Sequence, residues 1–252
     1  MCFSAEASFA AAGALLPAGA YCVYRAARTA PRALLVALVP AAFGVQQAVE
    51  GVVWLRLQQG DPGPIAHASA VFLFFAVAFW PIWLPLSLGV ADHRIPVRLL
   101  LSFWAALSLV WVWVIFPVLV EPPRWVHTEV VHHSIQYTVA ELPAFVLLQR
   151  MVWKIAYLVA ICVPLLVGRF GPAGRGGGNL IGGGAVAVLF AVSYLLFSYA
   201  YLSVWCFFAA LLSLVLCYAF YQIASPALPP AGRDRVVLPG GANLEAARVS
   251  NQ

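Results

Sequence analysis

The sequence predicts an all-α fold: a polytopic membrane bundle of seven transmembrane helices, with the N-terminus outside and the C-terminus in the cytoplasm. Three observations point there. First, 63% of the 252 residues are hydrophobic and only 9% are charged, with a mean hydropathy of +0.92, which leaves a soluble domain too little polar surface to face water. Second, cutting the chain at its charges and Gly/Pro clusters leaves seven apolar spans of roughly 18–25 residues, the length that crosses a hydrocarbon core about 30 Å thick. Third, the basic residues segregate. Ten of the 14, Arg25, Arg28, Arg32, Arg94, Arg98, Arg169, Arg175, Arg233, Arg235 and Arg248, fall on one side, which the positive-inside rule makes cytoplasmic. Arg56, Arg124, Arg150 and Lys154 fall on the other.

The expected spans are Ala7 to Tyr24, Ala33 to Leu55, Ile65 to Val90, Leu99 to Val120, Met151 to Val167, Asn179 to Ser198 and Ser203 to Tyr221. The first is read as a retained helix, since no basic residue precedes it and YCVYRAAR follows where a small-residue cleavage site would lie. Pro81 and Pro85 in FWPIWLP are expected to kink the third, with Trp80 and Trp83 in an inner aromatic belt. Trp104, Trp111 and Trp113 in the fourth read as packing or lipid-facing aromatics. The last two spans run together without charge or proline, and one helix of that length would measure about 65 Å, so a tight turn near SYAYLS must fold the chain back. Residues 1–223 form the transmembrane domain. Residues 224–252, rich in Pro and Gly, read as a flexible cytoplasmic tail.

The nine acids divide six outside and three inside, giving net charges of −2 and +7 on the two sides. A cytoplasmic arginine collar facing anionic headgroups accounts for the isoelectric point near 9.1 without nucleic acid, for which no module is present. The partner implied is the lipid bilayer, and the localisation a multi-pass protein of the cell membrane.

Placed by depth, the polar residues converge on the outer side. Gln46, Glu50 and Trp54 share one face of the second helix at i, i+4 and i+8, with Gln47 three residues before Glu50. A carboxylate there costs several kcal/mol if it faces lipid, so it faces protein, water or a partner, or stays protonated. The bland alternative is that the glutamines and Glu50 join neighbouring helices by hydrogen bonds. His67 opens the third span, and the loop Glu121 to Pro143 brings His127, Glu129, His132, His133, Gln136, Tyr137 and Glu141. Its β-branched VVHHSIQYTV reads as a short strand or hairpin across the outer mouth. For each histidine, a solvated or capping role competes with the site reading. HxxxxHH matches no zinc-site spacing, so Glu50, His67, His132 and His133 stand as candidate ligands of a divalent transition metal on convergence alone.

Cys22, Cys162 and Cys217 read as small apolar fillers. Cys2 and Cys206 are both expected outside. They could form a disulfide, pack plainly, or leave Cys2 as an N-terminal nucleophile after removal of Met1. No HxxxH motif marks a seven-helix zinc hydrolase, and the only lysine, Lys154, is not in the last helix as a retinal Schiff base would require.

MCFSAEASF, FGVQQAVEGVVWL and LSVWCFFAALLS together resemble a bacterial family of small multi-span membrane proteins of unknown function. The resemblance implies no particular activity. It does tie together the regions of Cys2, Glu6, Gln47, Glu50 and Cys206.

The resulting expectation is a membrane-embedded enzyme with an outward-opening polar pocket, acting on an apolar or lipid-like small molecule. Glu50, His133 and His67 would carry acid/base chemistry, and Gln46, Gln47, Trp54 and Tyr137 would meet the substrate. A proton- or ion-coupled transporter using Glu50 ranks second, because few polar residues continue into the inner half. The third reading is a non-catalytic scaffold binding a partner helix.

Overall fold

A computed structural model of the chain describes residues 4–147, 149–169, 177–196 and 200–224. Cys2 and the expected tail from residue 225 lie outside the described residues.

Helix α1 (Ala5–Thr29) begins where the Ser4 hydroxyl accepts from the Ala7 N–H at 3.2 Å. Helix α2 (Pro31–Gln59) starts with proline in its first turn and ends at Gly60, whose φ of +75° is the left-handed stop that glycine tolerates. Asp61 then caps α3 (Pro62–Ala91) by accepting from the Gly63 N–H at 3.2 Å. After α4 (Ile95–Val120), a two-stranded antiparallel sheet, β1 (Val126–Val131) and β2 (Ser134–Val139), interrupts the helices. Helices α5 (Arg150–Val167), α6 (Gly177–Leu196) and α7 (Tyr201–Gln222) follow. The fold is therefore mostly helical rather than all-α. Six of these helices, all but α6, are long and apolar enough to cross a membrane. The end of α6 at Leu196 and the start of α7 at Tyr201 fit the expected turn.

Bilayer-facing chemistry is visible on α4, where Leu99 and Phe103 are 67% and 61% exposed; such a surface is untenable in water but ordinary in lipid. The helices chain together as neighbours, α1 on α2, α2 on α3, α3 on α4 and α5, α5 on α6 and α6 on α7, and α7 returns to α1 and α2. The α1–α2 seam is tight because a Cβ on Gly19 would lie 2.5 Å from the Ala41 backbone nitrogen. At the closure, the Cys22 thiol of α1 meets Cys217 Sγ of α7 at 3.1 Å, both packed as fillers.

One end of the bundle is fastened by Asp92, only 2% exposed, between α3 and α4. Its carboxylate accepts from Arg94 at 2.7 Å and from the Arg169 N–H at 3.0 Å, while Arg94 also donates to the Val167 carbonyl at 2.8 Å. Burial is the largest single influence on this carboxyl and pushes its pKa up. The Arg94 side chain and the Arg94 and Arg169 N–H groups outweigh it and hold the pKa below the ordinary value. Arg32, after α1, reaches His93 of the same loop at 3.0 Å.

The kink expected in α3 takes a specific form: residues Phe74–Phe79 are wound as a π-helix just before Pro81. In that register the Ala76 carbonyl looks to residue 81 for an N–H, which proline lacks. The Tyr157 hydroxyl of α5 donates to it instead, at 2.6 Å.

Candidate functional site

The helical run VQQAVEG carries Gln46, Gln47 and Glu50 into the protein interior, where all three are 0% exposed. Ser203, in the first turn of α7, donates to Glu50 Oε1 at 2.6 Å. Cys206, about one turn further along α7, is also fully enclosed, at 1% exposure. From α3, Trp80 Nε1 donates to Gln46 Oε1 at 2.7 Å, its ring stacked on Phe43 with centroids 3.8 Å apart. Trp80 is thus a buried member of the polar cluster and not part of an inner aromatic belt. Two consecutive helices, α2 and α3, and the distant α7 meet at this cluster.

Both side-chain polar atoms of Gln47, Gln46 Nε2, Trp54 Nε1, Ser8 Oγ and Ser134 Oγ are buried without a hydrogen-bond partner among the described residues. Leaving such a group unmatched costs about 1–3 kcal/mol. Their placement is consistent: Phe9, next to Ser8, sits over Gly51, and Ile135, next to Ser134, packs with Ala5, Val53 and Trp54. The neighbourhood of Glu50 is therefore rich in donors and acceptors that a polar group of a ligand can use.

The hairpin roofs this neighbourhood. Thr128 of β1 donates to Ser69 Oγ of α3 at 2.8 Å, Tyr137 of β2 stacks on Phe72 at 4.7 Å, and Ile135 is fully buried. The expected hairpin is present, but as a lid: the polar residues converge beneath it instead of lining a mouth open to water.

Of the residues expected to form the site, the structure brings together Gln46, Gln47, Glu50, Trp54, Cys206 and, at the roof, Tyr137. It does not bring in the histidines. His132 and His133 form the two-residue turn of the hairpin with φ of 47° and 60°, a type I′ geometry that aims both at solvent. His67 is exposed and its Nδ1 donates to the Gly63 carbonyl at 2.8 Å. The expected metal set of Glu50, His67, His132 and His133 is therefore split between a sealed interior and the surface. Among the described residues no group of three or more His, Cys, Asp or Glu side chains is placed to hold a metal ion. Glu6 is exposed in the first turn of α1. The Cys2–Cys206 pairing cannot be placed, because Cys2 lies outside the described residues, while Cys206 is a buried thiol.

Ser203 and Trp80 were not anticipated. Serine in an apolar span is too common to single out. The motif FWPIWLP resembles an interfacial aromatic cluster, but a count along α3 from Pro62 to Ala91 puts Trp80 near mid-depth, as Gln46 is in α2. Beside the cluster, and sharing Ile135, Tyr137, Tyr201 and Leu202 with its surroundings, lies a cavity of about 230 Å³ between α3, α4, the hairpin, α5, α6 and α7. Tyr157 lines this cavity.

These features define a polytopic helical membrane protein with a carboxyl group sealed at the junction of three helices. The chain belongs to a family of unknown function (DUF6629), whose model matches residues 1–230. No curated protein and no solved structure matches it.

Proposed function

We propose that the protein is a membrane-embedded enzyme acting on a lipid-like or apolar small molecule, with Glu50 as its proton donor or acceptor. The observation that carries this reading is Glu50 itself: fully buried, fixed by Ser203 at 2.6 Å, and set among amides and hydroxyls beside a cavity of about 230 Å³. A carboxyl held this way exchanges its proton with a bound molecule without competition from bulk water. Ser203 fixes the orientation of one carboxyl oxygen. The Gln47 amide supplies a donor and an acceptor for the polar end of the substrate, and Gln46, locked by Trp80, holds the neighbouring wall. The hairpin excludes water from above.

In this reading α6, 20 residues long, is the seventh crossing, the N-terminus is outside and the C-terminus is in the cytoplasm. The clustering of Arg32, His93, Arg94 and Arg169 at the end opposite the hairpin supports that orientation.

The test is Glu50→Gln, which keeps the shape and the Ser203 contact. Wild-type protein in nanodiscs is incubated with total membrane lipid extract and the products are followed by mass spectrometry. A species consumed by the wild type is expected to be consumed about 10²–10⁴-fold more slowly by the variant at an unchanged melting temperature. Unchanged turnover in the variant overturns the role of Glu50. If no species is consumed and Glu50→Gln instead abolishes proton uptake into proteoliposomes, the protein is a transporter. If neither activity is found and the variant loses only a co-purifying helical partner, it is a scaffold.

A further inference from the structure

From the cavity beside the Glu50 cluster we infer a binding site for a single-chain amphiphile with an anionic head, a carboxylate or a phosphate monoester. That this molecule is the enzyme's substrate rests on the function proposed above; the binding itself rests on the cavity and its cations.

The walls are apolar and aromatic, with Trp111, Trp153, Tyr157 and Phe190 prominent among them, and suit a hydrocarbon chain. Two cations, Arg150 and Lys154, one turn apart at the start of α5, stand at the hairpin end of the cavity. Arg150 is answered already: Glu141 Oε1 accepts from it at 2.8 Å, and the Val139 carbonyl at 3.2 Å. Lys154 is not. Among the described residues no carboxylate pairs with it, and its Nζ is held over the rings of Tyr194 and Tyr201, at 5.0 and 5.1 Å from their centroids. Two aromatic faces steady the ammonium group without cancelling its charge, so the mouth of the cavity carries a net positive charge.

Placement strengthens the case. Arg150 and Lys154 are half of the four basic residues assigned to the outer side, where topology does not call for basic residues. The other two are engaged locally, Arg56 with Gln59 at 2.9 Å and Arg124 with Glu121 at 3.2 Å. Lys154 is therefore positioned at headgroup depth with a binding purpose that neither orientation nor pairing supplies.

Size narrows the occupant. A volume of about 230 Å³ holds about eight water-sized units, enough for one chain of about eight carbons but not for the two chains of a phospholipid. The head group meets Lys154, and the chain runs between Trp111 and Phe190.

The inference is tested by titration calorimetry on the full chain in a neutral maltoside, with octanoate, octyl phosphate and octanol as probes. At least one of the two anions is expected to bind about tenfold or more tighter than octanol. Lys154→Gln should reduce that preference to less than about twofold without weakening octanol, and Lys154→Arg should keep it. Lys154→Met, which retains the apolar stem against the tyrosines, is the second variant should the glutamine form be unstable. Val77→Phe, which fills the cavity, should weaken all three probes. Which anion binds more tightly distinguishes a carboxylate site from a phosphate site. Equal affinity of the wild type for octanol and both anions overturns the inference, as does an anion preference that survives loss of the ammonium group. Glu50→Gln is expected to leave binding intact. If binding behaves as stated while that variant turns over normally, the catalytic reading fails and the site stands.

Discussion

At the scale of the residue, burial has opposite consequences for the two enclosed acids. Glu50 receives a serine hydroxyl and lies among polar atoms that a ligand can use, whereas Asp92 is saturated by an arginine side chain and two backbone N–H groups. The first arrangement suits chemistry and the second suits fastening. Because the folded-state pKa of Asp92 is depressed, its contribution to stability is present above the unfolded value of about 3.9 and disappears as pH falls through the lower folded value. Asp92→Asn should therefore cost about 1–3 kcal/mol near neutral pH, read as a lower melting temperature in detergent. It should also flatten the part of the acid-denaturation curve below pH of about 4. A variant with the wild-type acid limb would show that the Arg94 and Arg169 contacts add nothing to the fold. Glu50 itself was legible in the sequence, since a carboxylate in an apolar helix is costly wherever it faces lipid. Its partners were not, because Ser203 is separated from it by 153 positions and nothing along one chain states which helix faces which.

At the scale of the element, the hairpin explains why the histidines mislead. Alternation in VVHHSIQYTV gives the strands, and two residues between paired Val131 and Ser134 make a tight turn. Such a turn needs positive φ at both central positions, which costs roughly 1–2 kcal/mol per residue for side chains other than glycine. His132 and His133 thus pay a backbone penalty at the surface rather than meeting Glu50. Replacing them with Asn and Gly should raise stability by about 1–2 kcal/mol, measured as a higher melting temperature, and leave turnover unchanged. Loss of turnover with a stable fold would return these histidines to the chemistry. Period-two alternation was readable from the sequence, but the sign of φ depends on how many residues the register leaves over.

At the scale of the whole molecule, composition and span length were sufficient for the membrane class, because hydrocarbon thickness leaves few alternatives for runs of this length. The cavity was beyond reach of the sequence, since it is a property of six elements at once. The proposed orientation makes a clear expectation: green fluorescent protein fused after Gln252 should fluoresce, while alkaline phosphatase fused at the same point should stay inactive. The reverse pattern would invert the bundle and put the hairpin and Lys154 on the cytoplasmic side.

The bond from Tyr157 to the Ala76 carbonyl also orders events in time. The two residues are 81 positions apart, so at roughly 5–20 residues per second the Ala76 carbonyl exists for about 4–16 s before its donor has been synthesised. Throughout that interval a bare carbonyl sits at mid-depth in a helix that can be handed to lipid only at a cost of several kcal/mol. The nascent third helix is thereby favoured to linger at the insertion machinery until the fifth arrives, which makes release into the bilayer a paired event rather than a helix-by-helix one.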